Sequence, residues 1–256
     1  MRSVGIPLVP EGSWVDAPRD HTILGLKELP DEDFPLEHTH VTFLHVFKNQ
    51  AGWERVLGRF QRGGGTLLDL EFLNDEHGRR VAAFGYHAGF AGAALGLDVW
   101  AHQVMNPGRE FGAVTPFRNE AALIEHVTAA IAAGSEKLGR QPRVLVIGAL
   151  GRCGKGAVDL CMKAGLSDEN ILRWDMEETA RGGPFVEIIE SDVFINCIYL
   201  THKIPNFVDT QSLAGPNRTL SVVVDISCDT TNPNNPIPIY NINTTFDTPT
   251  VPVEVS

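Results

Sequence analysis

The chain has 256 residues, of which 43% are hydrophobic and 21% charged, the balance of a folded protein with a core rather than of a disordered one. Its formal net charge is −11, so the surface as a whole repels phosphate backbones and anionic lipids. Composition and charge therefore exclude a general nucleic-acid binder and a membrane-surface protein. Four cysteines without a CxxC pair are also too few for a secreted disulfide framework.

The first eighty residues alternate β-rich runs with one helical stretch. Strands are predicted over 22–26, 41–47 and 66–72, with a helix over 52–62. Strands separated by helix-length segments favour βαβ units and a mainly parallel sheet.

Two residues near strand ends in this region could carry acid–base chemistry. Lys27 follows the first strand, and a desolvated lysine becomes a base once its pKa falls. His45 lies near the end of the second strand and could exchange protons near neutral pH. Each also fits an ordinary solvated strand end. No cysteine or acidic ligand set accompanies His38, His40 and His45, so we expect strand-edge residues there rather than a metal site.

Three apolar stretches follow in the middle of the chain. Residues 81–101 approach membrane-spanning length, but four glycines together with Tyr86, His87 and Asp98 indicate a buried helix of a soluble protein. Residues 119–138 predict an amphipathic helix. Residues 144–147 are continuously apolar, which is typical of a strand covered on both faces.

A nucleotide-binding pattern begins directly after residue 147. Gly148, Gly151 and Gly154 have the spacing GxxGxxG, and a helix is predicted over 155–164. Glycines in such a turn let the backbone approach a pyrophosphate at the helix N-terminus. The next strand, 170–175, ends in Asp175, near the spacing at which an acid binds the adenosine ribose. The pattern predicts NAD rather than NADP; an ordinary tight turn with an incidental carboxylate is the alternative.

Two further strands, 192–200 and 220–226, extend this unit, and a short β-run is expected at 237–240. The carboxyl ends of the two strands, near Tyr199 and at 225–227, should line a ligand-binding crevice. The sequence therefore predicts an α/β protein with two Rossmann-like domains, parallel sheets and a cleft between them. Residues 1–83 would form a partial catalytic domain and residues 84–256 the NAD-binding domain.

Longer strings resemble one enzyme family over nearly the whole chain. The strings include GLKE, HVFKNQAGW, DLEFL, GRRVAAFG, IGALGRCG, RGGPF, INCIYL and VDISCDTTNP. In this order they resemble the fungal saccharopine dehydrogenases that form L-lysine with NAD, relatives of alanine dehydrogenase.

The resemblance implies roles for individual residues. Lys27 would accept the proton of saccharopine's secondary amine, and His45 would act as acid and base in imine hydrolysis. Glu28 and Glu71 would tune the pKa values of this pair. Substrate would contact Lys27, Gln50, Arg79, Arg80, Phe84, Ser227, Cys228 and Asp229. The NAD site would include Arg79, Arg80, Gly148, Gly151, Arg152, Gly154, Asp175, Thr179, Tyr199 and Ile226.

The same resemblance implies oxidation of saccharopine to L-lysine and 2-oxoglutarate by a cytoplasmic, monomeric enzyme with NAD and no metal. Cys153 and Cys197 match positions that can form a disulfide, although we expect free thiols in a reducing compartment. The family has further segments before and after the matching region, so we expect this chain to be weakly active or inactive. An alanine-dehydrogenase-like enzyme and a non-catalytic NAD-binding remnant stay open as alternatives.

Overall fold

The computed structural model describes residues 5–26, 29–30, 32–44, 46, 52–227, 230 and 232–255. The chain divides into two compact units, Met1–Ala83 and Phe84–Ser256. Six residues with predicted site roles lie outside the described residues: Lys27, Glu28, His45, Gln50, Cys228 and Asp229.

The first unit contains a three-stranded parallel sheet in the order β1–β2–β3. Its strands are β1 (Thr22–Leu24), β2 (Thr39–Thr42) and β3 (Thr66–Asp69), and helix α1 (Trp53–Gly63) connects β2 to β3. The predicted parallel, helix-connected arrangement is confirmed.

All three strands of this unit differ in their bounds from the prediction, and one carboxylate explains where β3 ends. The Asp69 side chain accepts hydrogen bonds from the backbone N–H of Glu71 at 3.0 Å and of Leu44 at 3.3 Å. These N–H groups are therefore bound to a side chain rather than to a strand ladder. The chain turns into a 3-10 helix at Leu70–Phe72, and β2, which was expected over 41–47, covers Thr39–Thr42 instead.

The prediction that His38 and His40 are strand-edge residues is wrong. Strand β2 is central in the sheet, and only 4% of His38 and 1% of His40 is exposed. The His38 ring bonds the carbonyl oxygen of Ala17 at 2.8 Å. The His40 ring meets Trp14 and Phe60 edge-on, each at a centroid distance of 5.3 Å. Both histidines therefore belong to the core, and no metal-binding cluster occurs among the described residues.

The second unit is built on a four-stranded parallel sheet in the order β5–β4–β6–β7. Its strands are β4 (Val144–Ile147), β5 (Ile171–Trp174), β6 (Val193–Asn196) and β7 (Val222–Asp225). Its helices are α2 (Gly85–Met105), α3 (Glu120–Leu138), α4 (Arg152–Lys163), α5 (Met176–Thr179), α6 (Val186–Ile189) and α7 (Thr210–Leu213).

Alternation along the central strands places the sheet between two apolar layers. In β4, Val144 and Val146 pack with α2, α3 and α4, whereas Leu145 and Ile147 face a second cluster around Phe185. All four strand residues are at most 1% exposed. The expectation of a strand covered on both faces is confirmed.

Several element boundaries in this unit also differ from the prediction. The helix expected within 81–101 runs from Gly85 to Met105, and the strands expected over 192–200 and 220–226 are each only four residues long. The β-run expected at 237–240 is not a strand. Ile237 is fully buried instead, in the cluster around Phe185. No helix in the described part of the chain is long and apolar enough to cross a membrane.

Helices α2 and α4 cross with their backbones in contact. A Cβ atom built on Gly89 would lie 1.9 Å from the carbonyl oxygen of Cys153. A Cβ atom on Gly156 would lie 1.9 Å from that of Tyr86. Only glycine permits such an approach at either position, so this pair fixes the distance between the two helices.

The buried His40 predicts acid sensitivity of the first unit. Burial, with His38 and Arg59 nearby, lowers the pKa of His40 from 6.5 to about 4. Between these two pKa values, the His40 side chain therefore binds a proton in the unfolded chain but not in the folded chain. The free energy of unfolding should fall by about 2 kcal/mol from pH 7.5 to pH 5 through this group. Urea titrations followed by tryptophan fluorescence measure it.

The variant His40→Phe should reduce this pH dependence, because phenylalanine keeps the ring contacts and cannot titrate. His77→Phe is the matched control, since 65% of the His77 side chain is exposed. An equal loss of stability at pH 5 in the His40→Phe variant would refute the assignment.

Candidate nucleotide-binding site

The turn between β4 and α4 requires glycine at two positions. Gly148 has a φ angle of 84°, which side chains of L-residues rarely permit. A Cβ atom on Gly154 would lie 2.1 Å from the carbonyl oxygen of Gly148. The unusual spacing GxxGxxG thus folds into a tight strand–turn–helix passage.

The N-terminus of α4 gives this turn backbone N–H groups that can bind an anion. Gly151 is the N-cap residue, and no side chain of the described residues caps the helix there. Backbone N–H groups in the first turn of a helix, together with the helix dipole, attract phosphate groups. The turn has the shape and polarity that a pyrophosphate requires.

Asp175 follows β5 on one side of the turn. Its Oδ2 accepts the backbone N–H of Leu150 at 3.1 Å, and its Oδ1 accepts that of Met176 at 3.0 Å. The Glu178 carboxylate accepts the N–H of Asp175 at 2.7 Å, which completes a capping box for α5. Thr179, a predicted cofactor residue, donates its hydroxyl to the Asp175 carbonyl oxygen at 2.7 Å.

Glu178 is a residue that the sequence analysis missed. The spacing of Asp175 and Glu178 is a recognisable capping-box signal, so the short helix after β5 could have been predicted. The box orients Asp175 toward the glycine turn, which places an acidic oxygen beside Leu150.

The ends of β6 and β7 lie next to each other beyond the turn. Asn196 and Asp225 are register partners at the last position of the two strands. Beyond them, 61% of Tyr199 is exposed, and the Ser227 hydroxyl donates to Asp225 at 2.6 Å. Because β4 has β5 on one side and β6 on the other, the crevice lies where the strand order reverses. The predicted residues Tyr199, Ile226 and Ser227 all lie at this edge.

The predicted arginines of the first unit are engaged in ion pairs. Arg79 contacts Asp75 at 3.1 Å, with 73% of the arginine side chain exposed. Arg80 contacts Glu71 at 2.7 Å, and only 3% of the Glu71 side chain is exposed. Phe84 precedes α2 in the second unit and is 53% exposed. The structure thus gives the buried Glu71 an exposed partner in Arg80, whereas Lys27 and His45 lie outside the described residues.

Comparisons with known proteins place the chain in a family. Residues 2–91 match the family described as Alanine dehydrogenase/PNT, N-terminal domain. The chain is 65% identical to the saccharopine dehydrogenase (NAD(+), L-lysine-forming) of Neurospora crassa over 98% of its own length and 67% of that protein's. It is 61% identical to the enzyme of the same name from Schizosaccharomyces pombe, over 98% of the chain and 69% of that protein.

The chain belongs to the L-lysine-forming saccharopine dehydrogenase family. It spans about two thirds of the length of these relatives. A solved L-alanine dehydrogenase has a similar fold, with a TM-score of 0.51 at 17% identity over 89% of this chain and 61% of that structure. The predicted α/β fold and the predicted family are therefore confirmed.

Two cysteines of this saccharopine dehydrogenase family member are in contact, one in the first turn of α4 and one directly after β6. Cys153 and Cys197 are free thiols close enough to hydrogen-bond. The hydrogen bond from Cys197 lowers the pKa of Cys153 below its usual range, whereas the same contact and burial raise the pKa of Cys197. Burial also raises the pKa of the third free thiol, Cys161, to about 12. Cys153 is therefore the thiolate-forming member of the pair.

Alkylation should show this difference in reactivity. With iodoacetamide at pH 8, Cys153 should react before Cys197, because the thiolate is the nucleophile, and Cys161 should react last, because it is fully buried. The Cys197→Ala variant should slow alkylation of Cys153 several-fold, since it removes the hydrogen bond. Peptide mass spectrometry measures each rate, with Cys161→Ala as the control. An unchanged Cys153 rate in the Cys197→Ala variant would contradict this explanation.

Proposed function

We propose that this chain catalyses the NAD-dependent oxidative deamination of saccharopine to L-lysine and 2-oxoglutarate. The identity of 65% over 98% of the chain to a saccharopine dehydrogenase is the observation that carries the proposal. The chain is an oxidoreductase that acts on a CH–NH group, and its substrates are small molecules.

The geometry of the second unit is compatible with NAD binding. The turn between β4 and α4 has no room for a Cβ at Gly148 or Gly154, the N-terminus of α4 faces the turn, and Asp175 lies beside it. We propose that the turn binds the pyrophosphate and that Asp175 accepts hydrogen bonds from the adenosine ribose. When bound, NAD supplies the hydride acceptor for the C–H bond that is oxidised.

Lys27 and His45 carry the proton transfers in this proposal. As the C–H bond at the glutamyl α-carbon breaks, Lys27 takes the proton of the secondary amine and the nitrogen forms an imine with that carbon. His45 then assists water in adding to the imine carbon. The carbinolamine collapses, the C–N bond breaks, and the amine leaves as L-lysine while the former α-carbon becomes the ketone of 2-oxoglutarate.

We propose cationic and polar side chains as the contacts of the substrate. Arg79 is mostly exposed and could pair with a carboxylate of saccharopine, for which a guanidinium is suited. Arg80, the next residue along the chain, forms an ion pair with Glu71 and carries a second guanidinium group. Gln50, Phe84, Ser227, Cys228 and Asp229 complete the proposed contacts. We further propose that the protein is a monomer in the cytoplasm, where its thiols stay reduced.

The proposed activity is tested by the formation of NADH from NAD and saccharopine, with L-alanine as the competing substrate. We expect turnover of saccharopine, at the weak rate already expected from the sequence, and none of alanine, which lacks the long second substituent that saccharopine carries on its amine nitrogen. Lys27→Met should lower kcat at least ~100-fold, because general acid–base residues contribute factors of about that size. Lys203→Met is the control, since Lys203 is an exposed lysine of the second unit. NAD binding by calorimetry without turnover of either amino acid would favour a non-catalytic NAD-binding protein.

The variant Asp175→Ala tests the cofactor site. We expect KM for NAD to rise about tenfold or more, because the ribose loses a charged hydrogen-bond acceptor, with a smaller change in kcat. The substitution also removes the N-cap of α5. Asp209→Ala is the matched control because Asp209 caps α7 with the same kind of capping box in the same unit. Equal KM values in the two variants would contradict the ribose contact.

A further inference from the structure

We infer that Asp225, Asn196 and Tyr240 are positioning residues, which hold the ends of β6 and β7 in the shape that receives the cofactor and substrate. This inference rests on the proposed function. It concerns three side chains that are not among the predicted contacts with substrate or NAD.

The Asp225 carboxylate accepts four hydrogen bonds from the protein. Its Oδ1 accepts from Asn196 Nδ2 at 2.9 Å, from the Ser227 backbone N–H at 3.1 Å and from the Ser227 hydroxyl at 2.6 Å. Its Oδ2 accepts the hydroxyl of Tyr240. The four accepted bonds, three at Oδ1 and one at Oδ2, engage both oxygens of the carboxylate with donors of the protein itself. Its role is therefore to hold its partners.

Asn196 links Asp225 at the end of β7 to the end of β6. Asn196 is fully buried, and its Nδ2 also donates to the carbonyl oxygen of Ile198 at 3.1 Å. Ile198 directly precedes Tyr199, which is predicted to contact NAD. One amide group thus connects Asp225 at the end of β7 to the turn at the end of β6.

Two further contacts fix the segment after β7. The backbone N–H of Ile226 donates to the Asn196 carbonyl oxygen at 3.0 Å. Its side chain packs against α2, where a Cβ atom on Gly92 would lie 2.8 Å from the Ile226 Cδ1 atom. Ile226 is thus fixed by the sheet and by α2, whereas Ser227 depends on Asp225 through its backbone and its hydroxyl.

Tyr240 links this network to the C-terminal segment of the chain. Its hydroxyl also accepts Asn235 Nδ2 at 3.3 Å, and its ring packs against the apolar cluster around Phe185. Asn235 in turn accepts the backbone N–H of Ile237 at 2.9 Å, and Ile237 is fully buried. The Tyr240 hydroxyl is therefore anchored in a packed segment and holds Asp225 through its Oδ2 atom.

Hydrogen exchange of the ligand-free protein tests whether the network orders the two turns. We expect Tyr240→Phe to speed the exchange of amides in peptides covering 196–200 and 224–227 by about fivefold, the effect of losing one net hydrogen bond. Tyr86→Phe is the matched control, because its hydroxyl also donates to a carboxylate, that of Asp159, in the same unit. Unchanged exchange in both peptides would overturn the inference.

NADH affinity then tests whether the order matters for binding. At a temperature where each protein is fully folded, we expect calorimetry to show an NADH Kd about fivefold higher for Tyr240→Phe. The control Tyr86→Phe should stay within about twofold of the unchanged protein. A lowered Tm with an unchanged Kd would indicate a purely structural role and would overturn the inference.

The conservative variant Asn196→Asp gives an independent test. It keeps the side-chain size but faces Asp225 with a second carboxylate, so it should weaken NADH binding more than Tyr240→Phe does. Asp225→Asn introduced in the same chain restores a donor between the two positions and should recover part of the affinity. Failure of the double variant to recover any affinity would contradict a direct contact. Absence of NADH binding in the unchanged protein would instead refute the proposed function, and the exchange result would still decide whether the network orders the turns.

Discussion

The contact between the backbones of α2 and α4 is the constraint on which the nucleotide site depends. Gly89 and Gly156 each face a carbonyl oxygen of the other helix at a distance that excludes any side chain. The oxygen that Gly89 faces belongs to Cys153, in the first turn of α4, where we propose that the pyrophosphate binds. A side chain at either glycine would push α4 away from α2 and move that turn relative to β4.

An acidic protein can bind a pyrophosphate because the local field at this turn comes from the backbone. The net charge is −11, yet the helix N-terminus presents N–H dipoles whatever the total charge is. The carboxylates near the crevice are engaged by hydrogen-bond donors. Backbone N–H groups of Leu150 and Met176 bond Asp175, and three residues bond Asp225. These donors spread the negative charge and reduce the repulsion that a phosphate would meet.

The sequence predicts those parts of the structure that depend on neighbouring residues. The strand 144–147, the glycine turn and Asp175 follow one another along the chain, so their order is enough to predict a nucleotide site. Contacts between segments that are far apart in the sequence leave no such pattern in it. His40 looks like a strand-edge residue until β1 and β3 enclose β2 on both sides. Tyr240 lies in a run that favours a strand, and only the packing of Ile237 below the sheet explains why its hydroxyl reaches Asp225.

Asp175 and Asp225 show why a residue type at a strand end does not define its role. Each aspartate ends or follows a strand of the same sheet, and the sequence predicts both to line the crevice. Asp225 accepts four hydrogen bonds from the protein. Asp175 is half-buried, and among the described residues it accepts only backbone N–H groups, those of Leu150 and of the first turn of α5. Asp225 is instead bonded by three side chains, and we infer a positioning role for it, whereas we propose that Asp175 binds the ribose. The two aspartates differ in the tertiary contacts of their side chains, which their positions at strand ends do not reveal.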